Sequence, residues 1–296
     1  MKNIKEVSIK SSYDNSKQSL YYFIPEVKEN ERIPLLIALH PWSSNYKDFR
    51  VKLYLQECRK RNWALLHPDF RGPNNRPEAC ASPEAVQDVV DAVEYICRNQ
   101  NIDKSKIYLV GVSGGGHMVL MMAAKHPELW TAVSAWAPIS NLFQWYQETR
   151  AAGLKYYKDL EKICGGKPFA SSQINNQYYK RSPLYFLQEA GGLPVDINAG
   201  IKDGYEGSVP VSHSLRAFNT LAIANNQYQQ RLTEKEIAAI TYKQKVPENY
   251  LHFSEENVER KHKVLFQEYA HPTRVTIFKG GHEIDIKAAL SWLKRW

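Results

Sequence analysis

The sequence lacks the patterns that mark zinc-binding, membrane-spanning and nucleic-acid-binding proteins. No Cys-x-x-Cys spacing occurs, so a zinc site is not expected. No apolar run reaches 18 residues, which argues against a membrane span. The net charge is +8, but the basic residues are scattered, so nucleic-acid binding is not expected either. The even number of cysteines permits disulfides without requiring them: Cys58, Cys80, Cys97 and Cys164.

The beginning of the sequence contains no visible secretory signal. Residues 1–6 are basic, but no apolar stretch follows them. The sequence as written therefore fits a cytoplasmic protein, although an exported protein whose signal had been removed would look the same. A hydrophobic content of 43% and a charged content of 24% are those of an ordinary globular protein.

Apolar runs of strand length alternate with segments of helical spacing along most of the chain. Such runs predict buried parallel strands, with helices on both faces of the sheet. An antiparallel hairpin over 5–10 and 19–24 precedes them. The predicted buried strands are 33–40, 63–68, 106–111, 131–138, 193–200 and 274–279, and the first helices are 46–61 and 83–96. We therefore predict an α/β fold with a mostly parallel central sheet, as one domain over 1–296.

Two long stretches interrupt this alternation. Residues 141–192 follow the strand at 131–138, lose strand character and are rich in aromatic side chains. An excursion of that length between core strands predicts a lid over a functional site. Residues 231–271 are charged and are expected to be helical in parts, with Pro247 as a break, so we interpret them as a second insertion.

The candidate nucleophile is Ser113, within Gly111-Val112-Ser113-Gly114-Gly115. This G-x-S-x-G pattern lies between a strand-forming and a helix-forming run, as in a strained turn that exposes a serine oxygen. The small residues at 111 and 115 are a steric need, because the strand and helix backbones nearly touch. The Gly114 amide would then lie at a helix N-terminus and stabilise an oxyanion. The motif alone is a common chance match, and a glycine-rich turn without chemistry is the alternative.

A serine nucleophile needs a base, and the base needs an acid. Asp203 follows the strand 193–200, and His282 follows the strand 274–279 after two glycines. Because the carboxyl ends of parallel strands meet at one sheet edge, we expect these side chains to lie close together. Their chain order, Ser113, Asp203, His282, resembles the Ser-acid-His order of the α/β-hydrolases. Asp196 and Glu206 are the alternative acids. Five other histidines also lie near element ends and compete as the base: His40, His67, His117, His213 and His271.

The loop that opens at His40 is expected to supply a second oxyanion donor from its backbone. We choose the Trp42 amide, with Ser43 as the alternative. His40 is expected to organise this loop by hydrogen bonding rather than to act as a base.

Taken together, these motifs resemble an α/β-hydrolase, and most closely the catalytic domain of prolyl oligopeptidases and its esterase relatives. The matching segments are 39–42, 111–117, 202–203, 209–214, 280–282 and 292–293. Pro41 stands where the family usually has glycine. Only about 32 residues precede the first long strand, too few for the propeller domain of prolyl oligopeptidases. The region 231–271 is also longer than the family needs.

The resemblance implies a serine hydrolase that works through an acyl-enzyme and needs neither a metal nor an organic cofactor. Ser113 would attack an acyl carbonyl, His282 would transfer the proton and Asp203 would stabilise the imidazolium. Aromatic side chains near the strand ends and in the first excursion are expected to wall the site, although core packing would explain each of them about as well: Trp42, Trp136, Trp145 and Tyr146. Glu206 is expected to be a further substrate contact.

Three functions remain open from the sequence. Without a domain that filters substrates, a carboxylesterase is favoured, with acylated carbohydrate among the candidate substrates. A serine aminopeptidase acting on short peptides is the runner-up, and Glu206 or Glu148 would then capture the free amine. The third hypothesis is a hydrolase-fold protein that only binds a ligand or partner, although such proteins usually lose a triad residue.

Overall fold

The centre of the molecule is a twisted sheet whose strands run mostly parallel. The computed structural model describes residues 3–28, 30–247 and 260–296. Nine strands of these ranges pair in the order β1-β2-β4-β3-β5-β6-β7-β9-β8. Their bounds are β1 (Lys5–Lys10), β2 (Lys17–Phe23), β3 (Ile33–Leu39), β4 (Ala64–Pro68), β5 (Ile102–Val112), β6 (Ala132–Trp136), β7 (Val195–Gly200), β8 (Val264–Ala270) and β9 (Thr273–Phe278).

The pairing confirms the predicted fold class. Strands β4, β3, β5, β6, β7 and β9 form a continuous parallel block. The predicted hairpin is also present, as β1 pairs with β2 in antiparallel register, with Lys5 opposite Tyr22. Because the carboxyl ends of parallel strands share one edge, the turns after β3, β5, β7 and β9 lie at the same side of the sheet.

Helices cover both faces of the sheet. They are α1 (Val51–Arg61), α2 (Pro83–Asn99), α3 (Gly114–Lys125), α4 (Leu142–Ala151), α5 (Tyr156–Cys164), α6 (Ser172–Lys180), α7 (Ser212–Ala224), α8 (Glu234–Lys243) and α9 (Ile286–Leu293). One apolar core lies between the sheet and helices α2, α3, α7 and α8. A second core lies between the opposite face and helices α1 and α9. No helix of the described ranges combines the length and apolar character that crossing a bilayer requires.

Helix starts follow local chemistry. Helix α2 begins as predicted, with Pro83 in its first turn and the Ser82 hydroxyl accepting from the Ala85 amide at 3.0 Å. Helix α1 begins at Val51 rather than at 46, so that boundary was wrong. The preceding residues form turns instead, because the Asp48 amide donates to Asn45 O at 3.0 Å and the Val51 amide to Asp48 O at 3.1 Å.

The first excursion contains α4, α5 and α6, and its aromatic side chains form a third apolar cluster with Trp42 and Val209. In the second excursion, α8 agrees with the expectation of helix. The strand at the end of this excursion was not predicted. Strand β8 pairs antiparallel with β9, so residues 264–270 are an edge strand of the sheet. Only Phe266 and Ala270 of β8 are fully buried. Because the strand is buried on one side only, it lacks the continuous apolar run that marked the other strands. Residues 248–259 of that excursion lie outside the described ranges.

All four cysteines carry free thiols. Burial raises the pKa of the Cys58, Cys80, Cys97 and Cys164 thiols. Raised thiol pKa values keep the fraction of nucleophilic thiolate low, so these residues serve as small apolar side chains.

Candidate active site

Ser113 occupies a strained turn between β5 and α3. Its φ of 59° and ψ of −120° lie outside the regions that non-glycine residues favour. Its amide is held by a hydrogen bond to Trp136 O at 2.8 Å. A Cβ on Gly111 would lie 2.5 Å from the Gly115 carbonyl carbon, so the strand and helix backbones approach as the sequence predicts. This geometry is that of a nucleophile elbow.

Asp203 and His282 are joined by a short hydrogen bond. The Nδ1–H of His282 donates to Asp203 Oδ2 at 2.7 Å. The other carboxylate oxygen, Oδ1, accepts from the amides of Gly204 at 2.9 Å and Val209 at 3.1 Å. Asp203 is only 1% exposed, so its ionised form is satisfied by hydrogen bonds rather than by water.

This contact fixes which imidazole nitrogen is a base. A carboxylate can only accept, so the proton of a neutral His282 ring resides on Nδ1 and its lone pair on Nε2. His282 and Ser113 line the same cavity, which has a volume of about 420 Å³. The structure therefore brings the three residues singled out in the sequence to one edge of the sheet.

Three of the five histidines that competed as the base make contacts away from the triad. His40 contacts Asp69 O through Nε2 at 2.7 Å and stacks on Phe70, which confirms that it organises its loop by hydrogen bonding. His117 Nδ1 contacts Ile139 O at 2.8 Å, and His213 Nε2 contacts a Glu148 oxygen at 2.8 Å. All three are fully buried.

Two backbone amides lie beside Ser113 as candidate oxyanion donors. Gly114 begins α3, so its amide has no acceptor within the helix and feels the positive end of the helix dipole. A Cβ on Gly114 would lie 2.5 Å from the Trp42 backbone nitrogen, so the two residues are in direct contact. The Trp42 indole Nε1–H donates to Asp159 Oδ2 at 3.1 Å, which anchors the residue to α5.

Of the four predicted aromatic walls, Trp42 lines the cavity and the other three do not. Trp136 is buried against Phe278, Trp145 donates from Nε1 to Ser208 O at 2.7 Å, and Tyr146 donates to Glu161 at 2.6 Å. None of the three is among the residues that line the cavity described above. At strand and helix ends, burial of these large side chains in the core stabilises the fold more than exposure to a cavity would.

Glu206 also lies outside the cavity lining. Its side chain is exposed, and it pairs with Lys202 at 2.8 Å within the loop that carries Asp203. An exposed pair of this kind contributes little free energy to folding. Its role as a substrate contact stays a prediction.

Further apolar residues, which the sequence did not single out, line the cavity. Tyr156 of α5 lines it, and its ring stacks on Trp145 with centroids 5.1 Å apart. Phe49 also lines it and is 66% exposed. Which aromatic ring faces the cavity depends on contacts between distant segments, so the sequence carries no local signal for these two residues. Leu53, Ile284 and Ile286 complete this apolar lining.

An ion pair also lines the cavity. Arg50 Nη1 lies 3.0 Å from both oxygens of Asp48, and the Ser44 hydroxyl donates to Asp48 at 2.7 Å. Burial favours a raised pKa for Asp48, but hydrogen bonds from the Arg50 amide and Ser44, with the charge of Arg50, hold that pKa below its ordinary value. Asp48 therefore stays ionised and neutralised by Arg50.

Comparison with known proteins relates the chain to esterases and to peptidases. It is 26% identical over 142 residues to the acetylxylan esterase of Coprinopsis cinerea, covering 43% of this chain and 37% of that protein. It is 23% identical over 254 residues to acylamino-acid-releasing enzyme 2 of Oryza sativa subsp. japonica, covering 80% of this chain and 32% of that enzyme. The chain therefore spans about a third of the length of these relatives.

A solved structure shares the fold at low sequence identity. The acetyl xylan esterase from Paenibacillus sp. R4 superposes with a TM-score of 0.62 at 14% identity, covering all of this chain and 85% of that one. The profile of the prolyl oligopeptidase family matches residues 55–258, which is more than half of the 296-residue chain and includes Ser113 and Asp203. This chain is a member of the prolyl oligopeptidase family, with an α/β-hydrolase fold.

Proposed function

We propose that this protein is a serine hydrolase that cleaves acyl esters, with Ser113 as the nucleophile, His282 as the base and Asp203 as the orienting acid. The observation that carries the proposal is the 2.7 Å contact between His282 and Asp203 at a cavity that Ser113 also lines. Nucleophile, base and orienting acid are the three parts that acyl transfer from serine requires.

In the first half-reaction, Ser113 Oγ forms a bond to the acyl carbon while its proton passes to His282 Nε2. The tetrahedral intermediate collapses by breaking the bond to the alcohol oxygen, which takes the proton from His282 as it leaves. Water then attacks the acyl-enzyme in the same manner and releases the carboxylic acid and free Ser113. Asp203 keeps the imidazole in the reactive tautomer and stabilises the imidazolium.

The Gly114 and Trp42 amides are proposed to bind the oxyanion of each intermediate. Their close approach supports this role, since a Cβ on Gly114 would lie 2.5 Å from the Trp42 nitrogen. Such donors contribute about 3 kcal/mol each to stabilising the transition state. The glycine at position 114 is what lets the Trp42 loop pack directly on the elbow.

The charges around the cavity favour an ester over a peptide with a free N-terminus. A captured ammonium group needs an unpaired carboxylate, but Asp48 is paired with Arg50 and Glu283 with Lys261. The two glutamates proposed from the sequence are also engaged, Glu206 with Lys202 and Glu148 with His213. The rings of Phe49 and Tyr156 suit an aryl acyl group or a sugar ring.

Two measurements test this proposal. Wild-type protein is expected to react with a fluorophosphonate probe and to hydrolyse p-nitrophenyl acyl esters, and both activities should disappear in Ser113→Ala. Faster turnover of aminoacyl p-nitroanilides than of the esters would favour the peptidase instead. If the folded wild type neither labels nor turns over any substrate, the hydrolase-fold binding protein becomes the better description.

A further inference from the structure

Asn74 carries a buried hydrogen-bond donor whose partner is missing from the described part of the chain. The residue lies in the loop after β4 and is 1% exposed. Its Nδ2 has no hydrogen-bond partner there. Its other polar groups are engaged, since Oδ1 accepts from the Cys80 amide at 2.7 Å and the backbone amide donates to Trp42 O at 2.8 Å. Buried donors are nearly always paired, so an unpaired one needs an explanation, and a role in catalysis is one of those that apply.

The unpaired amide group lies against both candidate oxyanion donors. A Cβ on Gly114 would lie 3.0 Å from Asn74 Nδ2 and 2.5 Å from the Trp42 nitrogen. The space that a side chain at position 114 would occupy is therefore filled by the backbone of Trp42 and the side-chain amide of Asn74. The backbone amide of Asn74 also donates a hydrogen bond to the carbonyl oxygen of Trp42, which fixes the position of that residue.

We propose that Asn74 is a positioning residue of the oxyanion hole, an inference that rests on the proposed function. Its backbone amide fixes the Trp42 peptide, and its Nδ2 group directs a positive partial charge toward Gly114 and Trp42. Little water reaches this buried site, so such a dipole is weakly screened and stabilises negative charge that develops nearby. Asn74 Nδ2 is not among the groups that line the cavity, so Asn74 acts through its two neighbours and not on the substrate.

Asn74→Asp is the most informative variant. It preserves the size of the side chain and the Oδ1 acceptor but replaces the donor with a carboxyl oxygen. When ionised, this carboxylate opposes the oxyanion, and when protonated its O–H can donate in place of Nδ2. The kcat of the variant is therefore expected to be at least about tenfold below that of wild type, with KM nearly unchanged. The ratio of wild-type to variant kcat should grow as the pH rises. Because a buried carboxylate also destabilises the fold when it ionises, kcat is calculated per folded protein at each pH, and a purely structural role then gives a ratio that does not depend on pH.

The neighbouring Asn75 provides a matched control, because Asn75→Asp is the same chemical change on an exposed side chain. Asn75→Asp is expected to retain wild-type kcat at every pH. If Asn74→Asp does not fold, Asn74→Ala is measured with a trifluoromethyl ketone, which forms a tetrahedral oxyanion on serine. Its inhibition constant should weaken by about the same factor as kcat/KM, while KM stays unchanged.

These outcomes separate the inference from the proposed function. The role of Asn74 alone would be overturned if both Asn74 variants had kcat values within about twofold of wild type. It would also be overturned if the loss of kcat were constant with pH and substrate and inhibitor binding weakened by the same factor. If wild type itself shows no turnover that Ser113→Ala removes, the proposed function fails, and the role of Asn74 fails with it.

Discussion

The indole of Trp42 and the carboxylate of Asp159 connect the turn after β3 to helix α5. The Nε1–H of Trp42 donates to Asp159 Oδ2 at 3.1 Å, although the two residues are 117 positions apart. The Trp42 ring also packs edge-on against Trp145, with centroids 4.7 Å apart. The first excursion therefore supports, from outside the sheet, the loop that is proposed to stabilise the oxyanion.

Removing this support is expected to lower the rate more than the affinity. In Asp159→Ala the Trp42 indole loses its acceptor and its loop gains freedom, so kcat should fall by about tenfold with a smaller change in KM. Asp159→Asn retains an acceptor oxygen and should behave nearly as wild type. Steady-state kinetics on a p-nitrophenyl ester measures both. Equal activity of the alanine variant and wild type would show that the contact does not hold the loop.

The two buried aspartates of β7 and its following turn are expected to separate chemistry from stability. Asp203→Asn leaves His282 without the carboxylate that fixes its tautomer, so kcat should fall by about 10⁴-fold while the fold stays intact. Asp196 instead accepts from the Arg274 Nε–H at 2.9 Å and is fully buried. Asp196→Asn leaves that guanidinium without its counterion and should cost about 3–5 kcal/mol of unfolding free energy.

Urea unfolding and ester kinetics distinguish these two variants. The folded fraction of Asp196→Asn should retain most of the activity of wild type, because the hydrogen bonds of this aspartate in the described ranges go to Arg274, Ser134 and Asn198 and not to the triad residues. If Asp196→Asn lost activity at full stability and Asp203→Asn retained it, the acid would have been assigned to the wrong residue.

Phe49 is expected to determine preference for bulky acyl groups. Its ring lines the cavity and is 66% exposed, so truncation should change the unfolding free energy by less than about 0.5 kcal/mol. One aromatic contact is worth about 0.5–1.5 kcal/mol, so Phe49→Ala should raise KM for an aryl acyl ester by roughly two- to tenfold. KM for the acetyl ester should hardly change.

Phe169 supplies the control for this prediction. It is 70% exposed but stacks on Phe143, and it does not line the cavity. Phe169→Ala should therefore leave the ratio of the two KM values at its wild-type level. An unchanged ratio in Phe49→Ala as well would exclude Phe49 from substrate binding.

Buried histidines are expected to make the fold sensitive to mild acid. Burial lowers the pKa of His67 to about 3 and that of His117 to about 4, whereas both titrate near 6.5 when unfolded. Between these values the unfolded chain binds more protons than the folded one, so stability rises with pH and is lost as the pH falls below about 6.5. Each such histidine costs up to about 1.4 kcal/mol per pH unit in that window.

His67→Gln tests this assignment, because glutamine does not titrate. Urea unfolding at pH 7.5 and at pH 5 should show a smaller acid-induced loss of stability in the variant than in wild type. His126→Gln is the control, since His126 is half-buried at the surface near Glu128. Equal losses in His67→Gln and wild type would mean that His67 is protonated in the folded state.

The sequence predicted the parts of the fold that depend on local pattern. Apolar runs located the parallel strands, and the positions of Ser113, Asp203 and His282 just after such strands predicted that all three lie at one sheet edge. Strand β8 was missed because it is buried on one side only and lies next to a charged segment. Helix α1 was started too early because helical spacing does not reveal the turns at 45–50.

The walls of the cavity could not be predicted from composition. The aromatic richness of the first excursion was visible, but the layer in which each ring lies depends on contacts between distant segments. Trp145 lies behind Tyr156, which faces the cavity, and Asn74 meets Gly114 and Trp42 only after three loops fold together. Side-chain direction of this kind is set by tertiary packing and not by local spacing.

Covalent labelling of the serine tests the central claim most directly. The protein is incubated with a fluorophosphonate, digested and mapped by mass spectrometry, alongside Ser113→Ala and His282→Ala. We expect one adduct in wild type, on the peptide that contains Ser113, no adduct in Ser113→Ala, and much slower labelling in His282→Ala, which should remain folded. An adduct on a different residue, or labelling of Ser113→Ala at the wild-type rate, would contradict the account.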